Sequence, residues 1–180
     1  ARPKRSRKLL VLSKCDGFVH SSIPFVEKAF EIMGETTGAF TTEISEDPAI
    51  LGSPRLEAFD AVVMNNTTLR VPLLDQDTED MNPAEKKEAE ARERAARERF
   101  LQWIRDGHGL IGVHAATDCL YKWPEYGEML GGYFWGHPWH EAVTVKLDDP
   151  AHPLLAPFCG MSFSVKDEIY QFREAPYSRE

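Results

Sequence analysis

The sequence predicts an α/β fold of three layers, a mostly parallel sheet with helices on both faces. Three observations predict it. Short apolar runs of strand length recur at 9–13, 61–65 and 110–113, and the segment 40–45 alternates like a strand. Segments with apolar residues at helical spacing separate them, the alternation that a parallel sheet requires. The joins carry turn residues, with no internal repeat and no domain-scale linker.

In order, the first strand is 9–13. Five basic residues precede it, Arg2, Lys4, Arg5, Arg7 and Lys8. The apolar run 9–12 is far too short for a signal-peptide core, so the cluster reads as a solvated lead-in. Ser21 or Ser22 can cap the first helix, and Pro24 falls in its tolerated first turn. Phe25, Val26, Ala29, Phe30 and Met33 share its apolar face, and Gly34 and Gly38 end it. Strands follow at 40–45 and 61–65, then an acidic, turn-rich stretch at 73–82. Asn82, Pro83 and Glu85 form a capping signature for a helix running to about residue 106, stopped by Gly107. Glu88/Arg92, Glu90/Arg94 and Glu93/Arg97 stand four apart, each pair contributing a few tenths of a kcal/mol. Ala89, Ala96, Phe100 and Trp103 make its apolar stripe, too short for a coiled coil. The run 110–113 is the next buried strand, and 142–147 a later one.

Composition bounds the partners. A chain of 180 residues fits one domain, 1–180, and can bury a full core. The net charge of −8 argues against a nucleic-acid partner, because phosphate contacts need a basic surface. No apolar run approaches the roughly 20 residues of a membrane span. The expectation is a soluble protein, cytoplasmic or exported after removal of a leader, since the chain begins without Met. Three cysteines, Cys15, Cys119 and Cys159, have no zinc-type spacing and cannot all pair. Cys15 and Cys119 follow strand ends, where a nucleophile or a packed thiol are the alternatives.

The chemistry concentrates at strand ends. His114 closes the strand at 110–113, flanked by Gly112, Ala115 and Ala116. This pattern imitates the elbow that forces one residue into a strained, exposed position. The crevice beyond the carboxyl ends of the strands is where such folds bind ligands. An imidazole there offers proton transfer or metal ligation rather than acyl-enzyme chemistry, and a packed strand-end histidine is the alternative. His137 and His140 lie among glycines and aromatic residues at 131–140, a composition suited to a tight ligand-binding loop. Pro138 restricts the backbone of His137. His20 lies in the first loop, functional or merely at the surface. Asp118 can orient an imidazole, bind a sugar hydroxyl or cap a turn. Asp167 and Glu168 point to opposite sides of an extended segment, so one of them reaches the crevice. Trp123, Tyr133, Trp135 and Trp139 either line a carbohydrate site or pack loops. His108 caps a helix end, and His152 belongs to a turn.

The ordered set of these motifs resembles the trehalose-utilisation, or ThuA-like, family. It comprises His20 after the first strand, the run 59–63, the segment 109–116, the run 130–134 with Gly136, His137 and Pro138, and the run 167–172. The resemblance implies a flavodoxin-like, class I glutamine amidotransferase-like fold. Family members usually continue with more strands, one of a Gly-Arg-Val type ending near another histidine, and a last helix. This chain stops at Glu180, so the expectation is an open sheet edge that a second copy can cover as a homodimer.

The resemblance implies a role in carbohydrate catabolism on a disaccharide or keto-sugar derivative, by elimination, hydration, isomerisation or hydrolysis. His114, His137 and Glu168 are the expected catalytic residues; His20, Asp118, Tyr133, Trp135 and His140 are the expected ligand-binding residues. His20, His114 and His137 are candidate ligands of a divalent metal such as zinc. Glutaminase activity is not expected, because His114 replaces the elbow cysteine. The alternative is a non-catalytic carbohydrate-binding or accessory module on the same scaffold.

Overall fold

The computed structural model describes residues 5–71 and 74–173, so Arg2, Lys4 and Leu73 lie outside the described residues. The chain divides into two compact units, Ala1–Tyr133 with Arg173–Glu180, and Phe134–Phe172. The first unit carries four strands, β1 (Arg7–Leu12), β2 (Phe40–Ser45), β3 (Ala61–Asn65) and β4 (Gly109–Val113). They pair in the order β2-β1-β3-β4, every neighbour parallel. Three helices belong to the same unit, α1 (Ile23–Thr37), α2 (Pro83–Arg105) and α3 (Pro124–Leu130).

Alternate residues of the central strands feed two cores. Leu10, Leu12, Val62 and Met64 join Phe100 and Trp103 of α2 and Tyr126 of α3 on one face. Leu9, Val11 and Val63 turn to the other face, where Phe30 of α1 and Phe40 pack. A strand buried on both sides reads as an unbroken apolar run, which is why β1 and β3 were legible without a period-2 pattern.

β1 begins two residues earlier than predicted, because the basic lead-in is paired rather than merely solvated. Asp60 binds Arg5 at 2.7 Å and Arg7 at 2.8 Å and accepts the Lys8 N–H at 2.8 Å. Lys8 pairs with Glu43 of β2 at 2.7 Å. These contacts, the Arg7 guanidinium first, hold the Asp60 carboxyl below its usual range.

α1 departs from its predicted rotation. Phe25 and Met33 are 75% and 44% exposed, whereas Gly34 is the buried residue of the helix. A Cβ at Gly34 would lie 2.5 Å from the Phe40 carbonyl oxygen, so this glycine sets the closest approach of helix to sheet. It lies inside the helix, and Gly38, at φ +64°, is the residue that ends it. Neither predicted cap acts through its side chain. Ser22 occupies the cap position without capping, and its hydroxyl donates instead to Asn66 Oδ1 at 3.2 Å.

α2 follows its sequence closely. Asn82 Oδ1 accepts from the N–H groups of Ala84 and Glu85 at 3.0 Å each, and Glu85 Oε2 accepts the Asn82 N–H at 3.0 Å. Glu88–Arg92 and Glu93–Arg97 close at 3.0 and 2.7 Å. Ala89, Ala96, Phe100 and Trp103 are its buried residues, the predicted stripe. Among the described residues no helix is long and apolar enough to cross a membrane.

The second unit is antiparallel. Its strands β5 (Phe134–Gly136), β6 (His140–Val145), β7 (Phe163–Glu168) and β8 (Gln171–Phe172) form the pairs β5–β8 and β6–β7. β6 starts at His140, two residues before the predicted run, because His140 already pairs across to Glu168. His152 caps a short 3-10 turn, its Nδ1 accepting the Leu154 N–H at 3.2 Å.

Replacing Gly34 with alanine tests the close approach of α1. Alanine normally stabilises a helix interior by about 1 kcal/mol relative to glycine. Here the added methyl group meets the Phe40 carbonyl, and a loss of about 1–3 kcal/mol in chemical denaturation is expected. A gain in stability would show that the helix is free to move outward.

Candidate functional site at the carboxyl edge

The strand order reverses direction between β1 and β3, since the chain leaves β1 for one edge and later builds toward the other. In open α/β sheets this switch point opens a crevice beyond the carboxyl ends of the strands. Three segments meet there, those following β1, β3 and β4. They remain hydrogen-bonded past the strands themselves. Asp16 N–H donates to the Thr68 carbonyl at 3.2 Å, Asn66 N–H to Val113 at 3.2 Å, Leu69 N–H to Asp118 at 2.7 Å and Leu120 N–H to Leu69 at 2.8 Å.

His114 is delivered by the turn that ends β4. Its φ of +50° lies in the left-handed region, at a cost of about 1–2 kcal/mol for a residue with a Cβ. The small flanking residues have a steric cause. A Cβ on Gly112 would sit 3.1 Å from the Leu130 side chain and 3.2 Å from the Ala116 Cβ. Ala115 and Ala116 are buried in the turn, while His114 itself is exposed. The predicted elbow is therefore present.

His20 comes from the β1–α1 loop and meets His114 directly. The two rings lie edge to face, centroids 4.7 Å apart with 81° between the planes. Phe18 also meets the His20 ring edge to face, with centroids 4.8 Å apart. Gly17 allows this loop its course, because a Cβ there would fall 2.8 Å from Leu69. Two imidazoles of distant sequence origin thus share one point on the carboxyl edge.

Other candidates in this unit are occupied. Asp118 Oδ1 accepts the Tyr121 hydroxyl at 2.5 Å, so in this structure it orients a phenol rather than an imidazole. Burial, followed by that carboxylate, pushes the Tyr121 hydroxyl above its ordinary pKa. Tyr133 is 4% exposed and its hydroxyl donates to the carbonyls of Leu120 and Trp123. Trp123 is buried as well. Both rings pack the core instead of lining an open sugar site, which corrects that expectation. Burial pushes the Cys119 thiol up to about 12, and its Sγ lies 3.3 Å from the Ala116 carbonyl oxygen. Of the two alternatives for Cys119, this burial fits the packed thiol. Cys15 donates to the Asn66 carbonyl at 3.1 Å. His108 serves a helix end, with Nδ1 2.9 Å from the Trp103 carbonyl oxygen.

Within the second unit, His137 stacks beside Tyr170 at 5.8 Å and lies tilted beside Phe134 at 5.7 Å. Trp135 and Trp139 are exposed. His140 is exposed and stands opposite Glu168 across the β6–β7 pair. The Asp167 carboxylate accepts the Glu168 N–H at 2.8 Å.

The sequence reading missed one group. Asn65, the last residue of β3, and Asn66, Thr67 and Thr68 just past it are buried polar residues. A polar run directly after a buried strand was the available signal, since it places hydrogen-bonding side chains at the crevice.

Fold and site define an α/β protein of flavodoxin-like strand order with paired imidazoles at its switch point. The family model ThuA, described as trehalose utilisation, matches residues 8–179, and the chain belongs to that family. The crystal structure of a ThuA-like protein from Bacteroides uniformis ATCC 8492 is similar, with a TM-score of 0.66 at 22% identity. The match covers 96% of this chain and 64% of that one. That likeness carries the flavodoxin-like, glutamine amidotransferase-like fold. No curated protein matches this chain.

The thiols separate by burial, and alkylation at pH 8 reads the difference. Cys159 is exposed and Cys119 buried, so native protein should be modified at Cys159 while Cys119 reacts only after denaturation. Peptide mass spectrometry checks this, and modification of both at equal rates in native protein would contradict it.

Proposed function

We propose that this chain acts in carbohydrate catabolism, on a disaccharide or a keto-sugar derivative, with His114 as its central functional residue. The observation that carries the reading is the His20–His114 contact at the switch point, with centroids 4.7 Å apart. The left-handed backbone of His114 adds to it, because strained residues of this kind cluster at ligand-binding and active sites. The family description, trehalose utilisation, supplies the substrate class.

A carbonyl on a sugar acidifies the neighbouring C–H. His114, at the mouth of the crevice, accepts that proton on its imidazole and returns it at the same or an adjacent atom. His20, held against Phe18, donates a hydrogen bond to the oxygen that gains negative charge. Return of the proton at the adjacent carbon gives isomerisation, loss of the β-oxygen substituent as an alcohol or water that carries the proton away gives elimination, and addition of water across the resulting C=C, the reverse step, gives hydration.

The donor set also suits a divalent cation. Imidazole nitrogens are preferred ligands of zinc, and two imidazoles already in contact need little rearrangement to share one ion. Bound there, zinc would act as a Lewis acid on the substrate carbonyl. By resemblance, His137 and Glu168 are proposed as a further ligand and a proton carrier. The exposed rings of Trp135 and Trp139 favour the second reading, a carbohydrate-binding module without catalysis.

Two substitutions at one position separate these readings. His114→Gly relieves the left-handed strain and should raise stability by about 1 kcal/mol in thermal melts. His114→Gln keeps a polar side chain without the imidazole. Both should abolish zinc binding in calorimetric titration and stop deuterium exchange at the carbon beside a keto-sugar carbonyl. Unchanged sugar binding with no exchange in the native protein would favour the binding module. Loss of folding in both variants would make His114 structural.

A further inference from the structure

Asn66 has no part in the chemistry described above, yet it bonds to both segments that carry the paired imidazoles. It is 0% exposed, and its φ of +52° places it in the left-handed region just past β3. Its N–H donates to the carbonyl of Val113, the residue before His114, at 3.2 Å. On the other side it grips the His20 loop at two points. The Ser22 hydroxyl donates to Asn66 Oδ1 at 3.2 Å, and the Cys15 thiol donates to the Asn66 carbonyl at 3.1 Å. His20 lies between those two anchors.

The orientation of the Asn66 amide is fixed by a chain of partners behind it. Asn65 Nδ2 donates to the Ile23 carbonyl at 3.2 Å and to Ser13 Oγ at 3.0 Å. A carbonyl can only accept, so the Asn65 amide must present its oxygen to Asn66. That oxygen accepts from Asn66 Nδ2 at 2.8 Å, which leaves Asn66 Oδ1 facing Ser22. The Ser13 hydroxyl donates to the Glu27 carboxylate of α1 at 2.6 Å, closing the network on a helix. Only asparagine meets all these demands. It tolerates the left-handed backbone better than most residues with a Cβ, and its amide offers a donor nitrogen and an acceptor oxygen on the same carbon.

We propose that Asn66 is a positioning residue that sets the spacing of His20 and His114. This rests on the reading of that pair as the functional centre, but its own test does not depend on the reaction. The main chain of Asn66 holds Val113 and Cys15 while its buried amide fixes Ser22 to Asn65, so one residue ties two segments into one mouth, and residues that orient the ligating groups commonly change metal affinity 10–100-fold when lost.

The test compares wild type with Asn66→Gly and Asn66→Asp. The glycine keeps the left-handed backbone without strain and deletes the amide. The aspartate keeps size but sets an acceptor against Asn65 Oδ1. Two readouts are taken on folded protein: the cross-relaxation between His20 and His114 ring protons by NMR, and the affinity for zinc alone. The expected result for Asn66→Gly is loss of the ring-to-ring signal with a 10–100-fold weaker affinity. Asn66→Asp should move both in the same direction. Should either variant fail to fold, Ser22→Ala removes one anchor only and should weaken the same ring signal.

A ring-to-ring signal unchanged in every folded variant overturns the proposal, whatever the melting temperature does. If wild type binds no zinc but the ring signal is lost in Asn66→Gly, the positioning role stands and the metal reading of the pair falls.

Discussion

Backbone hydrogen bonds carry the parallel ladder past the last regular residues of β1, β3 and β4. Asn66 to Val113, Leu69 to Asp118 and Leu120 to Leu69 are its rungs, and isolated bridges pair Cys15 with Thr68 and Leu69 with Cys119. Loops at a sheet edge usually have only their ends fixed. Here they are joined to one another along their length, so the side chains they carry have defined mutual positions. The His20–His114 contact depends on this seam, because the two residues are 94 positions apart in sequence and share no regular element.

The seam is obtained at a conformational cost. Asn66, Leu69, His114 and Leu120 all have φ between +50° and +56°, and each such residue costs about 1 kcal/mol or more. The offset comes from burial beneath them. Leu120, Cys119 and Ala116 belong to the larger core, and the Asn65–Asn66–Ser13 network satisfies its buried amides with bonds contributing about 1 kcal/mol each. A strained rim on a well-packed base is a sound arrangement for a site, since the rim is held in one geometry before any ligand arrives.

Much of the fold was legible because its determinants are local. Buried parallel strands show as apolar runs, and the Asn82–Glu85 capping box marks the start of α2 in four residues. The His114 elbow was legible for the same reason, since Gly112, Ala115 and Ala116 are sequence neighbours. What escaped the sequence depends on distant partners. The rotation of α1 is set by Gly34 meeting Phe40 across the sheet. The burial of Tyr133 follows from carbonyls ten and thirteen residues away, so an aromatic near glycines gave no sign of which way it would turn. Asn66 was passed over because its partners, Ser22 and Val113, lie about forty-five residues to either side. The pairing of Arg5, Arg7 and Lys8 with Asp60 and Glu43 was hidden likewise, each carboxylate being thirty-five or more residues from its cations.

The central claim is that His20 and His114 act as one ligand-binding centre. Crystals grown with zinc, with anomalous diffraction recorded on both sides of the zinc absorption edge, test it most directly. The account predicts an anomalous peak within coordination distance of both imidazoles, with the backbone of the β1–α1 loop and the His114 turn unmoved. Zinc bound elsewhere while the two rings keep their edge-to-face contact would contradict it.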